Sequence, residues 1–233
     1  MSTSNSDVVS EAAKTSQSGS GSGSGSGGSS HSSSSYIPVT GINKPQVEPE
    51  KKPENVIFSD VENLSWGKTE IIALAQMGIL SGMENGCFEP TGKVTREQFA
   101  KMAAGAFGVS DSAQSEIFTD IPDDAWYAEA VRSMNAAGYI FGISENRFGV
   151  GENITRQDIA VILYRILKDK INDAGNELSF SDAEDISDYA KEATAALYCS
   201  GIISGYDDGS FGAKREVTRQ EAAVMIYRAI NLK

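Results

Sequence analysis

The sequence predicts an all-α domain built from three copies of a helix–loop–helix unit. Two observations predict it: short landmarks recur three times in the same order, and each copy has two stretches with apolar residues at helical spacing. A unit of two helices cannot bury its apolar face alone. The three copies are therefore expected to share one core with pseudo-threefold character.

The chain divides into a polar tail and the three repeats. Residues 16–35 are Gly and Ser apart from Gln17 and His31, and a Pro-rich stretch follows. Such a composition cannot bury enough apolar surface to offset the entropy of ordering. We assign residues 1–55 to a linker, Gly/Ser-rich and then Pro-rich, that is expected to join the repeats to a fused or upstream module. The repeats are assigned to residues 56–115, 116–177 and 178–233.

Each repeat opens with a Phe-x-Asp landmark and then an aromatic residue, which begins an i, i+4, i+8 series typical of an amphipathic first helix. Only Glu70 breaks the apolar character of these series. The landmarks are Phe58, Asp60 and Trp66 in repeat 1, Phe118, Asp120 and Trp126 in repeat 2, and Phe180, Asp182 and Tyr189 in repeat 3.

A Gly-x-x-x-Gly element ends each first helix. Its first glycine falls where a helix needs a left-handed residue just past its C-terminus. A turn bearing a phenylalanine follows it. The glycine pairs are Gly78 and Gly82, Gly138 and Gly142, and Gly201 and Gly205, and the turn residues are Phe88, Phe148 and Phe211.

A Thr-Arg pair opens each second helix. Thr95, Thr155 and Thr218 are natural N-caps, and the acid or amide three residues later (Gln98, Asp158 or Glu221) completes a capping box or a close relative of one. The cap does not explain Arg96, Arg156 and Arg219, since a cation at the first helical position opposes the helix dipole.

Two interpretations of these arginines stay open. Each could pair with Asp60, Asp120 or Asp182 of a neighbouring repeat as a structural strut. Alternatively, the arginine and the free N–H groups of a helix start could bind an anion, above all a carboxylate gripped by two hydrogen bonds. The role of the two tryptophans also has two interpretations: Trp66 and Trp126 could anchor the core, or their faces could stack on a sugar ring.

Composition excludes several classes of protein. The net charge of −12 argues against nonspecific nucleic-acid binding and against adsorption to an anionic membrane. The one histidine, His31, lies in the serine-rich tract, which disfavours His-dependent catalysis and a His-rich metal site. We expect no enzyme, no cofactor and no metal. No apolar run is long enough to span a membrane, and the first residues lack the features of a signal peptide.

The Phe-x-Asp, Gly-x-x-x-Gly, Phe-turn and Thr-Arg landmarks, present three times, and the tryptophan, present twice, resemble those of the S-layer homology (SLH) domain of bacterial surface proteins. The resemblance covers roughly residues 57–233. It implies a pseudo-trimer in which the first helices form a central three-helix bundle, with grooves between the repeats. It also implies noncovalent binding of secondary cell-wall polysaccharide, often through pyruvylated sugars whose carboxylate meets the motif arginine.

Carried onto this sequence, the resemblance assigns anion contacts to Arg96, Arg156 and Arg219. It makes eight further residues groove-shaping or ligand-facing: Asp60, Asp120, Asp182, Trp66, Trp126, Gly82, Gly142 and Gly205. Tyr189 departs from the pattern because it replaces the third tryptophan, which places the grooves of repeat 3 in question.

The leading hypothesis is therefore a monomeric, carbohydrate-binding anchor at the cell wall. The alternative is a protein–protein assembly module of a surface layer. A glycoside hydrolase is the least favoured, because no acidic residue occurs in a distinctive catalytic setting. Since a surface location requires export, we expect either a truncated chain or a start codon further upstream.

Overall fold

The computed structural model describes residues 58–110, 117–171 and 178–232, which all lie within Glu50–Lys233. The predicted linker, residues 1–55, lies outside the described residues. Within these ranges the fold is mainly helical, without strands, as the sequence predicts. The helices are α1 (Lys68–Gln76), α2 (Arg96–Phe107), α3 (Ala128–Ala136), α4 (Arg156–Leu167), α5 (Asp188–Cys199) and α6 (Arg219–Ile230), with a short 3-10 helix at Ala183–Asp185.

The first helix of each repeat ends as predicted. Gly78, Gly138 and Gly201 follow the last turn with φ values of 74°, 75° and 71°, the left-handed conformation that a glycine adopts without strain. The helix starts differ from the prediction, because α1 and α3 begin two residues after Trp66 and Trp126. The two tryptophans therefore precede the apolar stripe instead of belonging to it.

The second helices begin at the predicted caps. The Thr95 side chain accepts a hydrogen bond from the Gln98 N–H, and the Gln98 side chain accepts one from the Thr95 N–H. Thr218 and Glu221 form the same capping box. In repeat 2 the shorter Asp158 instead accepts a hydrogen bond from the Thr155 hydroxyl at 2.6 Å.

The core sits around the second helices, which corrects the expected central bundle of first helices. Helix α4 buries nine of its twelve residues, whereas α1 buries three of nine. Each first helix packs on a second helix from another repeat: α3 on α2, α5 on α4, and α1 on α6. Among the described residues, second helices also contact one another, α2 with α6 and α4 with α6, whereas first helices make no comparable contacts among themselves. The physical reason is that the run of residues 159–164 makes the middle of α4 apolar on all sides and must be enclosed, whereas an amphipathic helix can cover it from outside.

The three repeats are joined in a ring just before the second helices. The Val94 N–H donates to the Val217 carbonyl, the Val217 N–H to the Ile154 carbonyl, and the Ile154 N–H to the Val94 carbonyl, at 2.9–3.1 Å. All three residues are fully buried. The repeats thus share one core, while exact pseudo-trimeric symmetry stays a prediction. No helix in the described ranges has the length and apolar character needed to cross a membrane.

Candidate functional site: three grooves between repeats

Each motif arginine reaches into the next repeat of the ring. Arg96 donates through Nε to the Phe148 carbonyl at 2.9 Å and through Nη2 to the Phe141 carbonyl at 2.8 Å. Its guanidinium carbon lies 5.0 Å from the centre of the Phe148 ring. Arg96 is only 9% exposed. The side chain is therefore held by backbone carbonyls and an aromatic face.

Arg219 and Arg156 continue the same cycle. Arg219 of repeat 3 donates to the Phe88 and Ser81 carbonyls of repeat 1, at 2.7 and 3.1 Å. Arg156 of repeat 2 donates to the Ser204 carbonyl of repeat 3, at 2.6 Å. Of the two open interpretations, the strut between each arginine and a landmark aspartate is wrong, because the described residues form no such ion pair.

The landmark aspartates instead bind backbone N–H groups of their own repeat. Asp120 accepts from Phe148, Gly149 and Val150. Burial would raise the pKa of Asp120, but these three hydrogen bonds outweigh it and hold the pKa below its ordinary value. Asp60 and Asp182 bind the corresponding turns. Their contacts show the aspartates shaping the turns, and none of the three is among the residues that line the grooves described below.

The first N–H group of each second helix donates to a carbonyl of another repeat, which corrects the expectation that these groups are free. The Arg219 and Gln220 N–H groups donate to the Gly92 and Pro90 carbonyls of repeat 1. In repeat 2, the first two N–H groups of α4 likewise donate to carbonyls of repeat 3. The part of the proposed anion receptor that lines the grooves is therefore the arginine side chain.

The second glycine of each Gly-x-x-x-Gly element is required by packing. A Cβ atom at Gly82 or Gly142 would lie 2.7 Å from a ring atom of Phe58 or Phe118, and one at Gly205 would lie 3.0 Å from Phe180. Such approaches are far below van der Waals contact. The missing side chains let this segment lie flat against the opening phenylalanine of its own repeat.

The landmark aromatic residues are on the surface. The exposed fractions are 50% for Trp66, 57% for Trp126 and 59% for Tyr189. The interpretation of the tryptophans as core anchors is therefore wrong. Tyr189 departs from the tryptophan of the pattern but is equally exposed, and alignment of the repeats alone identifies it as the third aromatic residue of this set.

Three grooves bring these parts together, and all three repeats contribute to each. We number a groove by the repeat that supplies its glycine segment and second helix. Groove 1 has a volume of about 270 Å³, groove 2 of about 440 Å³ and groove 3 of about 330 Å³. The lining includes Gly82, Trp126 and Arg219 in groove 1, Gly142, Tyr189 and Arg96 in groove 2, and Gly205, Trp66 and Arg156 in groove 3.

A second cation from the second helix lines each groove, and the sequence analysis missed it. These residues are Lys101 in groove 1, Arg165 in groove 2 and Arg228 in groove 3. Lys101 sits at a different helical position from the two arginines, so repeat alignment gives no common signal. Lys101 also donates to the Trp126 carbonyl at 3.1 Å, which fixes the cation beside the aromatic residue.

The Tyr189 hydroxyl ties the aromatic residue of groove 2 to its second helix. It donates to Asp158 at 2.8 Å and accepts from the Gln157 side chain at 2.8 Å. Burial and the hydrogen bond to Asp158 raise the pKa of Tyr189 to about 12, so the hydroxyl stays protonated at neutral pH. No cluster of His, Cys, Asp or Glu in the described ranges could hold a metal ion.

Three tandem helical units that share one core, with a groove at each junction between repeats, define a class of repeat-built helical domain. Residues 57–100, 117–160 and 179–223 each match the family model of the S-layer homology domain. Because these matches cover more than half of the chain, the protein belongs to the S-layer homology family.

The relatives include both carbohydrate-active enzymes and surface-layer proteins. The chain is 33% identical to the exoglucanase XynX of Acetivibrio thermocellus, over 75% of this chain and 16% of the relative. It is 30% identical to an S-layer protein of Bacillus thuringiensis subsp. finitimus (73% and 21%), and 26% identical to the surface-layer 125 kDa protein of Lysinibacillus sphaericus (74% and 15%). The chain thus spans less than a quarter of each of these proteins. The family and these relatives support anchoring at the cell surface or association with an S-layer.

Proposed function

We propose that the chain anchors a fused module to the cell wall by binding secondary cell-wall polysaccharide in the grooves between its repeats. The observation that carries the proposal is the threefold recurrence of one constellation. Each groove combines a buried arginine, a half-exposed aromatic ring and a segment flattened by glycine, supplied by three different repeats.

The aromatic rings suit a sugar ligand. A ring such as Trp126 that is 57% exposed leaves apolar surface in water. A pyranose covers such a face with its C–H groups while its hydroxyl groups stay hydrated. The adjoining glycine segment lies against Phe58, because Gly82 has no side chain to hold the two apart, and it forms part of the wall of groove 1.

The arginines suit a carboxylate on that sugar, as a pyruvate ketal provides. In the part of the chain that the structure describes, Nη1 of Arg96 and of Arg219 has no hydrogen-bond acceptor. Since the rest of each guanidinium is fixed by carbonyls and by a phenylalanine ring, little side-chain entropy remains to be lost on binding. A preorganised guanidinium edge favours an anionic oxygen over a neutral hydroxyl.

The test is co-sedimentation of the full chain with purified cell-wall sacculi. Replacing Arg96, Arg156 and Arg219 together by Gln is expected to lower binding at least about a hundredfold, since a charged hydrogen bond contributes about 1.5–3 kcal/mol. Trp126→Ala alters an exposed ring and should weaken binding at groove 1 with the fold intact. Arg147→Ala removes an exposed arginine outside the grooves and is the matched control.

Unchanged binding by a folded triple variant would refute the role of the grooves. Sacculi treated with mild acid to remove pyruvate ketals should bind less of the unaltered chain. The assembly alternative makes a different prediction, because it requires the chain to oligomerise in sedimentation velocity without any glycan.

A further inference from the structure

Groove 3 holds its arginine differently from grooves 1 and 2. Arg96 and Arg219 each use Nε to bind the carbonyl of a turn phenylalanine. Arg156 Nε is buried and has no hydrogen-bond partner among the described residues. Its Nη1 lies instead 3.7 Å from Glu221 Oε1, and both side chains are largely buried. The arginine of groove 3 has therefore turned toward a carboxylate of the protein itself.

Tyr206 accounts for this difference. It follows Gly205, at the position that Met83 and Ile143 occupy in the other repeats. The centre of its ring lies 4.9 Å from the guanidinium carbon of Arg156 and 4.4 Å from that of Arg215. Its hydroxyl donates to Glu221 Oε1 at 2.6 Å. The ring and the carboxylate together cover the guanidinium edge that is free in the other two grooves.

The counterparts of Glu221 do not compete for their arginines. In groove 1 the position is Gln98, which is neutral and caps its helix equally well. In groove 2 it is the shorter Asp158, whose oxygens accept from Thr155 and Tyr189. Neither residue forms an ion pair with the motif arginine of its groove, Arg219 or Arg96, in the described structure.

We propose that Glu221 and Tyr206 close groove 3 to anionic sugars, so that grooves 1 and 2 are the working sites. This inference rests on the proposed function. A ligand carboxylate entering groove 3 would meet Glu221 and Asp207. The lining of groove 1 has Arg219 and Lys101 without a carboxylate, since Glu89 and Asp60, which act electrostatically on Arg219, lie outside that lining and form no ion pair with it in the described structure. Like charges at contact range oppose binding, and the protein's own ion pair would have to be broken first.

The two tryptophans of the chain are reporters of individual grooves. Trp66 lines groove 3 and Trp126 lines groove 1. Their indole N–H signals can be assigned in ¹H–¹⁵N spectra of the full chain with Trp66→Phe and Trp126→Phe. The probe is a methyl hexoside with a 4,6-pyruvate ketal, and the same hexoside without the ketal is its control.

Titration with the ketal is expected to move the Trp126 signal and to leave the Trp66 signal in place. The double variant Tyr206→Met with Glu221→Gln gives groove 3 the residues of groove 1. It should make the Trp66 signal respond, with at least a tenfold gain in affinity at that groove. The reciprocal change, Met83→Tyr with Gln98→Glu, should weaken the Trp126 response at least tenfold. Gln and Glu both cap this helix position in the native chain, so neither pair removes a cap.

Three outcomes would overturn the inference. Parallel movement of both signals in the unaltered chain would mean that groove 3 is open. If the Trp66 signal stays in place in the Tyr206→Met, Glu221→Gln variant while the Trp126 signal moves, Tyr206 and Glu221 do not close groove 3. If neither signal moves in any variant and the arginine variants still bind sacculi, the proposed function fails and the inference fails with it.

Discussion

Arg96 and Asp120, from different repeats, hold Phe148 from opposite sides. Arg96 Nε donates to the Phe148 carbonyl at 2.9 Å, and the Phe148 N–H donates to Asp120 at 2.8 Å. Asp120 fixes the turn within repeat 2, and Arg96 ties that turn to repeat 1. Arg219 and Asp60 hold Phe88 in the same way. The aspartates thus act on the grooves indirectly, by fixing the turns that position the arginines.

Asp120→Asn should destabilise the domain in a pH-dependent way. The amide has one acceptor oxygen for three N–H donors, so we expect a loss of about 1–3 kcal/mol at pH 7. The pKa of Asp120 is lowered in the folded state. Its stabilisation is therefore present above the ordinary aspartate pKa of about 3.9 and is lost as the pH falls through the folded-state pKa.

Urea unfolding of the Asp120→Asn variant and the unaltered chain at pH 7 and pH 3 measures this difference. The difference in the free energy of unfolding between the variant and the unaltered chain should be smaller at pH 3 than at pH 7. Asp124→Asn, at an exposed position, is the control and should change little. An equal gap at both pH values would contradict the assigned role of the carboxylate.

Two glycine-to-alanine substitutions should change the free energy of unfolding in opposite directions. A Cβ at Gly142 would lie 2.7 Å from both a Phe118 ring atom and the Ser144 carbonyl oxygen, so Gly142→Ala should destabilise by about 1–3 kcal/mol. Gly105 is exposed inside α2, and a Cβ there would meet nothing within 4 Å. Gly105→Ala should stabilise by about 0.5–1 kcal/mol because alanine favours the helix.

Thermal unfolding of both alanine variants provides the measurement. If Gly142→Ala were neutral, the glycine segment would be free to shift, and the groove floor would not be fixed by packing against Phe118.

Glu89→Gly should stabilise repeat 1. Glu89 has a φ of 61°, and the equivalent residues Gly149 and Gly212 have φ values of 90° and 71°. A side chain in the left-handed region raises the energy by about 1–2 kcal/mol, part of which is offset by the greater freedom of glycine in the unfolded chain. We expect a net gain of about 1 kcal/mol in the free energy of unfolding.

Glu89→Ala separates this backbone effect from charge. Alanine removes the same carboxylate near Arg219 but keeps a Cβ in the left-handed region. Denaturant titrations should therefore show a gain for glycine that alanine does not share. Equal effects of the two substitutions would assign the change to charge.

The parts that the sequence predicted well are local. Thr95 and Gln98 are three residues apart, so helix geometry alone determines their mutual hydrogen bonds. The left-handed glycine after the first helix, such as Gly138, is equally local. These features predict where helices begin and end without any knowledge of how the helices pack.

The parts that the sequence predicted poorly depend on contacts between repeats. The pattern placed Trp126 on the buried stripe of its helix, but α3 begins at Ala128 and the tryptophan stays outside the core. The helix-start N–H groups of Arg219 and Gln220 are satisfied by Gly92 and Pro90 of another repeat. Spacing within one repeat carries no information about such partners, so the aspartate pairing and the free N–H groups were both wrong.

Salt should affect glycan binding weakly, because recognition acts at contact range. The chain has a net charge of −12, which repels an acidic polymer at long range. The attraction comes from few cations, such as Arg219 and Lys101 in groove 1. With a screening length of about 8 Å at physiological ionic strength, added salt removes most of the distant repulsion and less of the contact attraction. We expect sacculus binding to change less than about tenfold between 50 and 200 mM NaCl, whereas a protein that contacts DNA phosphates with six or more cations loses about a thousandfold.

A variant with fewer distant negative charges isolates the repulsive part. Asp124, Glu145 and Glu184 are exposed and line none of the three grooves. Replacing them by Asn, Gln and Gln should tighten binding at 50 mM NaCl and make less difference at 300 mM, because the screening length falls as the salt concentration rises. A steep loss of binding with salt in the unaltered chain would instead indicate an extended basic surface, and the grooves would then not be the main contact with the glycan.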